Sequence, residues 1–252
     1  MQAIDLHKFK VTCENCNLAE LCLPRGLNKD ELDELDKVVR QSRPLHKGDH
    51  LFRNGDPLSS LYTVRSGSVK LFTHSDNGDE QIVGFYLPGE LVGLDGIENN
   101  LHSCNAIALE TSSLCNFPYT QLTDVCSKVP ALQEQMFRLM GREISYENKL
   151  LLSLSKKSAE ERIATFLRSL SLRFKQLGFS PDEFRLSMSR QDIGNYLGLT
   201  IETVSRIFSR LQKNKYILID KKHIQILDQD GLNKMCTANA SESAGNNFNT
   251  SS

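Results

Sequence analysis

The chain has 252 residues, 39% hydrophobic and 24% charged, enough for two compact domains with a filled core. No apolar run nears the roughly 18 residues of a membrane span, and the first twenty residues lack the apolar stretch of an export signal, so a cytoplasmic protein without a membrane partner is expected. The net charge of −1 would argue against a polyanionic partner, but it averages over two unlike regions. Leu71 to Ser127 holds eight acids and no Lys or Arg, whereas Arg142 to Lys222 holds sixteen basic residues against nine acids, a surplus suited to phosphates.

In chain order, residues 1–26 form an arm carrying Cys13, Cys16 and Cys22, three of seven cysteines. In a reducing compartment disulfides explain them poorly. Asn28 can cap a short helix whose apolar face is Leu32, Leu35, Val38 and Val39. From Pro44 to Pro118, short apolar runs alternate with glycine turns about every ten residues, which predicts a β jelly roll spanning residues 27–129. After Pro130 the period becomes helical. Phe137, Met140, Ile144, Glu147, Leu151 and Leu154 recur at steps of three and four, the seam of a coiled-coil dimerisation helix over residues 130–157. Ser158 and Glu161 then make a capping box for a second long helix ending near Gly178. Residues 237–252, rich in Ser, Asn, Thr and Ala, read as a disordered tail.

Within residues 158–236 two short helices are expected around a tight joint. Ser189 caps the first, Gly198 ends it, and Thr200 caps the second. Val204, Ile207, Phe208 and Leu211 form the buried stripe of the second helix, which leaves Glu202, Ser205, Arg206 and Ser209 on the opposite face. Those side chains suit base edges and phosphates in a major groove, with Thr200 and Thr203 beside them. Tyr216–Ile219 and His223–Leu227 read as the hairpin of a wing. The fold class is therefore α+β: an N-terminal β jelly-roll sensor domain, a long dimerisation helix, and a C-terminal winged helix-turn-helix domain.

The run Asp192-Ile193-Gly194-Asn195-Tyr196-Leu197-Gly198-Leu199-Thr200, followed by Glu202-Thr203-Val204-Ser205-Arg206, resembles the DNA-binding motif of the cyclic-AMP receptor protein superfamily. The β domain and long helix stand in that superfamily's order, and the cysteine arm makes the chain similar to its FNR branch, the fumarate and nitrate reduction regulators. The resemblance implies that Glu202, Ser205 and Arg206 read TTGAT-like half-sites of a palindromic double-stranded DNA site, and that a homodimer activates or represses transcription there. The turn at Asn77, Gly78, Asp79 and Glu80 resembles the family's contact with RNA polymerase, although charged hairpin turns are also ordinary.

Gly89-Glu90-Leu91 resembles the turn that holds ribose in nucleotide-binding members. The segment expected to supply a phosphate-neutralising Arg reads Leu101-His102-Ser103-Cys104-Asn105-Ala106, and a buried phosphate without a cation is heavily penalised, so no cyclic nucleotide is expected. The signal must then enter elsewhere. Cys13, Cys16 and Cys22 can wrap one soft-metal centre, and their uneven spacing suits an iron–sulfur cubane better than zinc. From residue chemistry the fourth ligand could be Cys104, Cys115, Cys126 or Cys236; the resemblance selects Cys115 and implies an oxygen-sensing 4Fe-4S cluster. A zinc- or thiol-based regulator and an iron–sulfur electron-transfer protein are the alternatives. No dinucleotide fingerprint, P-loop or catalytic histidine pairing is present, so an enzyme is not expected. Glu147 interrupts the seam: in a parallel pair two copies repel, unless helix rotation turns them to solvent.

Overall fold

The computed structural model describes residues 12–236. The expected tail, 237–252, and residues 1–11 of the arm lie outside the described residues. After a single 3-10 turn at Ala19–Leu21, Asn28 caps α1 (Lys29–Val38), accepting from the Glu31 amide while the Glu31 carboxylate accepts from Asn28 N. Then come β1 (Arg40–Gln41), β2 (His50–Phe52), β3 (Ser60–Ser66), β4 (Val69–His74), β5 (Glu80–Tyr86), β6 (Leu91–Val92), β7 (Asn105–Ala108) and β8 (Ser113–Pro118). They form two four-stranded sheets, ordered β1-β8-β3-β6 and β2-β7-β4-β5. Phe52, Tyr62, Val64, Val69, Leu71, Tyr86, Val92, Ala106 and Leu114 fill the space between them, the alternate inward positions of half-buried strands. Gly67 is required in its turn: at φ +80° a Cβ would stand 2.3 Å from Ser112 Oγ.

The helical part begins with α2 (Tyr119–Lys128), which the sequence reading left out, and α3 (Pro130–Lys156), 27 residues long. A second apolar cluster lies where α1, α2 and the start of α3 meet the arm: Leu23, Leu35, Leu61, Phe117, Leu122 and Leu132 are its fully buried members, and Cys13 and Cys22 belong to the cluster as well. Further on come α4 (Ala159–Gln176), β9 (Glu183–Arg185), α5 (Arg190–Leu197), α6 (Ile201–Lys213), β10 (Ile217–Asp220), β11 (His223–Ile226) and α7 (Gln229–Met235). The wing is three-stranded, β10-β11-β9, since Phe184 pairs with Ile224; the short strand β9 and the helix α7 carried too little period to be read in advance. Contacts divide the described chain into one unit of residues 12–71 and 85–142 and another of 72–84 and 143–236. No helix among the described residues is long and apolar enough to cross a membrane.

Candidate functional site

In the second unit the reading head is built by local rules. Ser189 Oγ accepts from the Asp192 amide and the Asp192 carboxylate accepts from Ser189 N at 2.8 Å, a capping box that starts α5. Gly198 ends it in the left-handed region at φ 63°, and Thr200 Oγ1 accepts from Thr203 N to start α6. Gly194 permits the joint: a Cβ there would lie 2.6 Å from the Leu199 carbonyl oxygen. Burial of Val204, Ile207, Phe208 and Leu211 turns Glu202, Arg206 and Ser209 outward, with Thr203 and Ser205 half-exposed.

These polar side chains are already linked. Arg206 Nη2 donates to Thr203 Oγ1 at 3.2 Å, and Arg190 Nη1 donates to Ser205 Oγ at 3.2 Å while its guanidinium lies 5.7 Å from the Phe208 ring centre. Arg190, Ser209, Gln212, Lys213, Ile219 and Lys221 line an open hollow of about 430 Å³ between α6 and the wing. Its three cations were not singled out from sequence. The regional surplus of positive charge was visible, but only the fold brings these three together.

Arg162 was missed as well. From α4 its Nε donates to the Lys157 carbonyl at 3.0 Å, Nη2 to the Leu154 carbonyl at 2.6 Å and Nη1 to the Leu197 carbonyl at 3.0 Å. One guanidinium thus joins the last turn of α3 to the C-terminus of α5, satisfying carbonyls that helix ends leave open.

In the first unit the arm brings three cysteines against the β-roll. Cys13 and Cys22 are buried and Cys16 half-buried. Cys13 N donates to Asp36 Oδ1 of α1 at 2.9 Å, and Cys22 Sγ donates to Thr63 Oγ1 of β3 at 3.5 Å. Thr63 is the register partner of Cys115 on β8, so the sheet sets Cys115 beside the place where the Cys22 thiol is held. Of the four cysteines that residue chemistry left open, Cys104 packs against the inter-sheet core, Cys126 lies on α2 and Cys236 donates to its own helix at Leu232 O.

Electrostatics join the same four thiols. Burial pushes Cys13 well above the ordinary thiol range, helped by its hydrogen bond to Asp36 and by the charges of Asp36, Cys22 and Cys115. Burial likewise raises Cys22 to about 11, against the lowering hydrogen bonds of Thr63 and the Leu23 backbone, with Cys115 and Cys16 adding to the rise. Cys115 is raised by burial first and then by Cys16 and Asp36, while the Arg65 cation opposes them. Burial in this partly apolar seat thus disfavours the thiolate form of Cys13, Cys22 and Cys115. Among the described residues no three His, Cys, Asp or Glu groups converge closely enough to hold one metal ion, and the Cys22 thiol is engaged by Thr63.

The remaining expected residues fall on two other surfaces. Along α3, Phe137, Ile144 and Leu151 are 57–64% exposed, Glu147 is exposed, and Met140 and Leu154 are half-buried, leaving an apolar stripe uncovered in the single chain. Leu152, 61% exposed, extends it beyond the residues read from the period. Gly78 and Asp79 are exposed at the β4–β5 turn, where Gly78 at φ 83° donates its amide to Ser75 O, and Glu80 is half-buried at the start of β5.

The ribose-type turn has changed partners. Glu90 Oε2 accepts from Leu87 N in its own turn, and Gly89, at φ +84°, lies under Leu21 of the arm so closely that a Cβ would come within 2.9 Å of Leu21 Cβ. His102, where a cation was sought, is buried, stacked on Phe52 at 3.6 Å and bonded through Nδ1 to Asp95 Oδ1 at 3.3 Å.

Family comparisons agree with this architecture. Residues 42–129 match the cyclic nucleotide-binding domain and residues 161–235 the Crp-like helix-turn-helix domain. The transcriptional activator protein Anr of Pseudomonas protegens is 53% identical over 216 residues, covering 86% of this chain and 88% of that protein. The fumarate and nitrate reduction regulatory protein of Escherichia coli is 50% identical over 222 residues, covering 88% and 89%. FixK2 from Bradyrhizobium japonicum has a similar solved structure, with a TM-score of 0.72 and 27% identity, covering 79% of this chain and 97% of that one. The chain belongs to the FNR/Anr family of the Crp/Fnr superfamily. It is a transcription regulator with a Crp-like DNA-binding domain and not an enzyme.

Proposed function

We propose that this protein is an oxygen-responsive regulator whose Cys13, Cys16, Cys22 and Cys115 hold a 4Fe-4S cluster, and which binds DNA as a homodimer while that cluster is intact. The observation that carries the reading is the juxtaposition of Cys22 and Cys115 through Thr63, which makes the distant cysteine the neighbour of the triad. When bound, the cluster supplies four iron sites for thiolate and an inorganic core that oxygen can oxidise. The chain's own residues do the rest. Cys115 anchors the arm to β8; without a shared ligand set, the arm keeps Leu21 over Gly89 and Leu23 in the core, but Cys13 and Cys22 return to Asp36 and Thr63.

The exposed stripe of α3 is the dimer seam in this reading, with Glu147 opposing its copy so that pairing stays weak until the arm is fixed. Two reading heads then span half-sites a helical turn apart and add their affinities. Arg206 pairs with a guanine edge, Glu202 accepts from a cytosine amino group, and Ser205 and Ser209 bond bases or phosphates of a TTGAT-like half-site, with Thr200 and Thr203 at the helix start. Arg190, Lys213 and Lys221 face the phosphates beside the wing. Gly78, Asp79 and Glu80 form the contact with RNA polymerase.

The test is isolation without air. Protein with iron and sulfide near four of each per chain, visible absorption bleached by air, and palindrome binding lost on bleaching is expected. Colourless zinc protein, or DNA binding indifferent to bleaching, sinks the proposal.

A further inference from the structure

Gln135 is out of place by the rules of a helix interior. It lies on the inward side of α3, three residues after Leu132 and four before Leu139, both almost wholly buried, and it is itself 3% exposed. Its Nε2 donates at 3.0 Å to the backbone carbonyl of Cys22, which also accepts from Arg25 N. Its Oε1 is buried with no hydrogen-bond partner among the described residues. A leucine or methionine would fill the same space without an unpaired carbonyl, so packing alone does not account for an amide here. What the amide provides, and an apolar side chain cannot, is a directed tie between α3 and the peptide that carries a cysteine of the arm.

The tie is well placed to act on the seam. Phe137 follows two residues later on the same helix and is 63% exposed, so a small roll of the first turns of α3 about the Cys22 carbonyl re-aims Phe137 and then Met140. On the opposite side, Leu21 is seated against the Gly89 turn and Leu23 is wholly buried, so residues 21–23 are held between the β-roll and α3. We propose that Gln135 is a positioning residue that registers the dimerisation helix on the cysteine arm, so that the way residue 22 is held sets the seam beginning at Phe137. This rests on the cluster-and-dimer reading above. Gln135 touches no ligand, and its role is exerted through the Cys22 peptide.

The variant is Gln135→Met, which keeps an unbranched side chain of similar volume and removes both polar ends. Iron, sulfide, thermal midpoint and sedimentation under argon are measured on the full chain beside wild type. The expected result is wild-type iron and sulfide, a thermal midpoint of the air-exposed form unchanged or raised, and an anaerobic dimer dissociation constant about tenfold weaker. A residue of merely structural value would lower the midpoint and leave pairing of the folded fraction intact. Gln135→Met that loads and pairs like wild type overturns the inference alone. Wild type that contains no iron and sulfide, or pairs equally well in air, overturns the proposed function and this inference with it. A second measurement needs no variant: amide exchange across residues 130–142 of wild type slows when the protein is loaded, and exchange unchanged between loaded and air-exposed protein also overturns the inference.

Discussion

The cysteine arm and the helix-turn-helix are both short and both built around tight turns, yet they are finished to different degrees. In the reading head each helix end carries its cap, Gly198 closes α5 in the left-handed region, and four apolar side chains of α6 are buried beneath exposed polar ones. Among the described residues of the arm a single 3-10 turn is the regular structure; the Cys13 amide is bonded to Asp36 and the Cys22 thiol to Thr63. One region is closed by its own caps and core; in the other, no three metal-ligating side chains converge among the described residues. Under the proposed function, control acts on how two finished heads are paired, not on whether each head folds.

The sharpest way to break this contrast is to remove one thiol. Cys115→Ala should abolish iron retention and lower anaerobic DNA affinity about a thousandfold, the cost of losing the second head, while Cys126→Ala should retain both. Iron assay and anaerobic gel shift decide it; a cluster that survives Cys115→Ala moves the fourth ligand elsewhere. Arg162→Ala probes the reading head by itself. It leaves three carbonyls at helix ends without their donor and should cost about 3 kcal/mol in thermal or urea unfolding of the air-exposed protein. An unchanged unfolding midpoint would show that the tie between α3 and α5 has no energetic weight.

The two regions also differed in what their residues disclosed in advance. The head was legible because its signals are local: Ser189, Gly198 and Thr200 stand at fixed offsets, and the stripe of α6 repeats within three turns. The jelly roll was legible as a class, since glycine turns punctuate it, but not as an order of strands. Residue chemistry alone left four distant cysteines open; Cys115 is proposed on the β3–β8 register that brings Thr63 opposite it, and a register is not legible residue by residue. Gln135 and Arg162 gave no local sign of their roles; their partners are backbone carbonyls, and a backbone carbonyl looks alike at every position of a sequence.

At the level of single base contacts, Arg206→Ala should weaken operator binding about 10- to 100-fold and relax selectivity at one position of the half-site. Lys213→Ala should instead weaken all sequences alike and reduce the salt slope of binding by about 1. A base-selective Lys213 or an indifferent Arg206 would reverse the assignment of α6 and the basic hollow.

The smallest expected effect bears on the junction of the two regions. Glu147 is exposed in the single chain between Ile144 and Leu151, both more than half exposed, so pairing α3 with its copy would cover apolar neighbours and bring two carboxylates together. In the proposed dimer, attraction from the stripe would be opposed by repulsion from the acid, so that a change in the arm could tip the outcome. Glu147→Ala keeps the helix propensity and removes the repulsion, so its dimer in air should be about five- to tenfold tighter by sedimentation, with a weaker dependence on salt than wild type. Raised salt should tighten the wild-type dimer in air by screening the same repulsion. If wild-type and Glu147→Ala protein stay equally monomeric in air across the salt range, the acid points away from the seam, and the balance must be set by the apolar stripe alone.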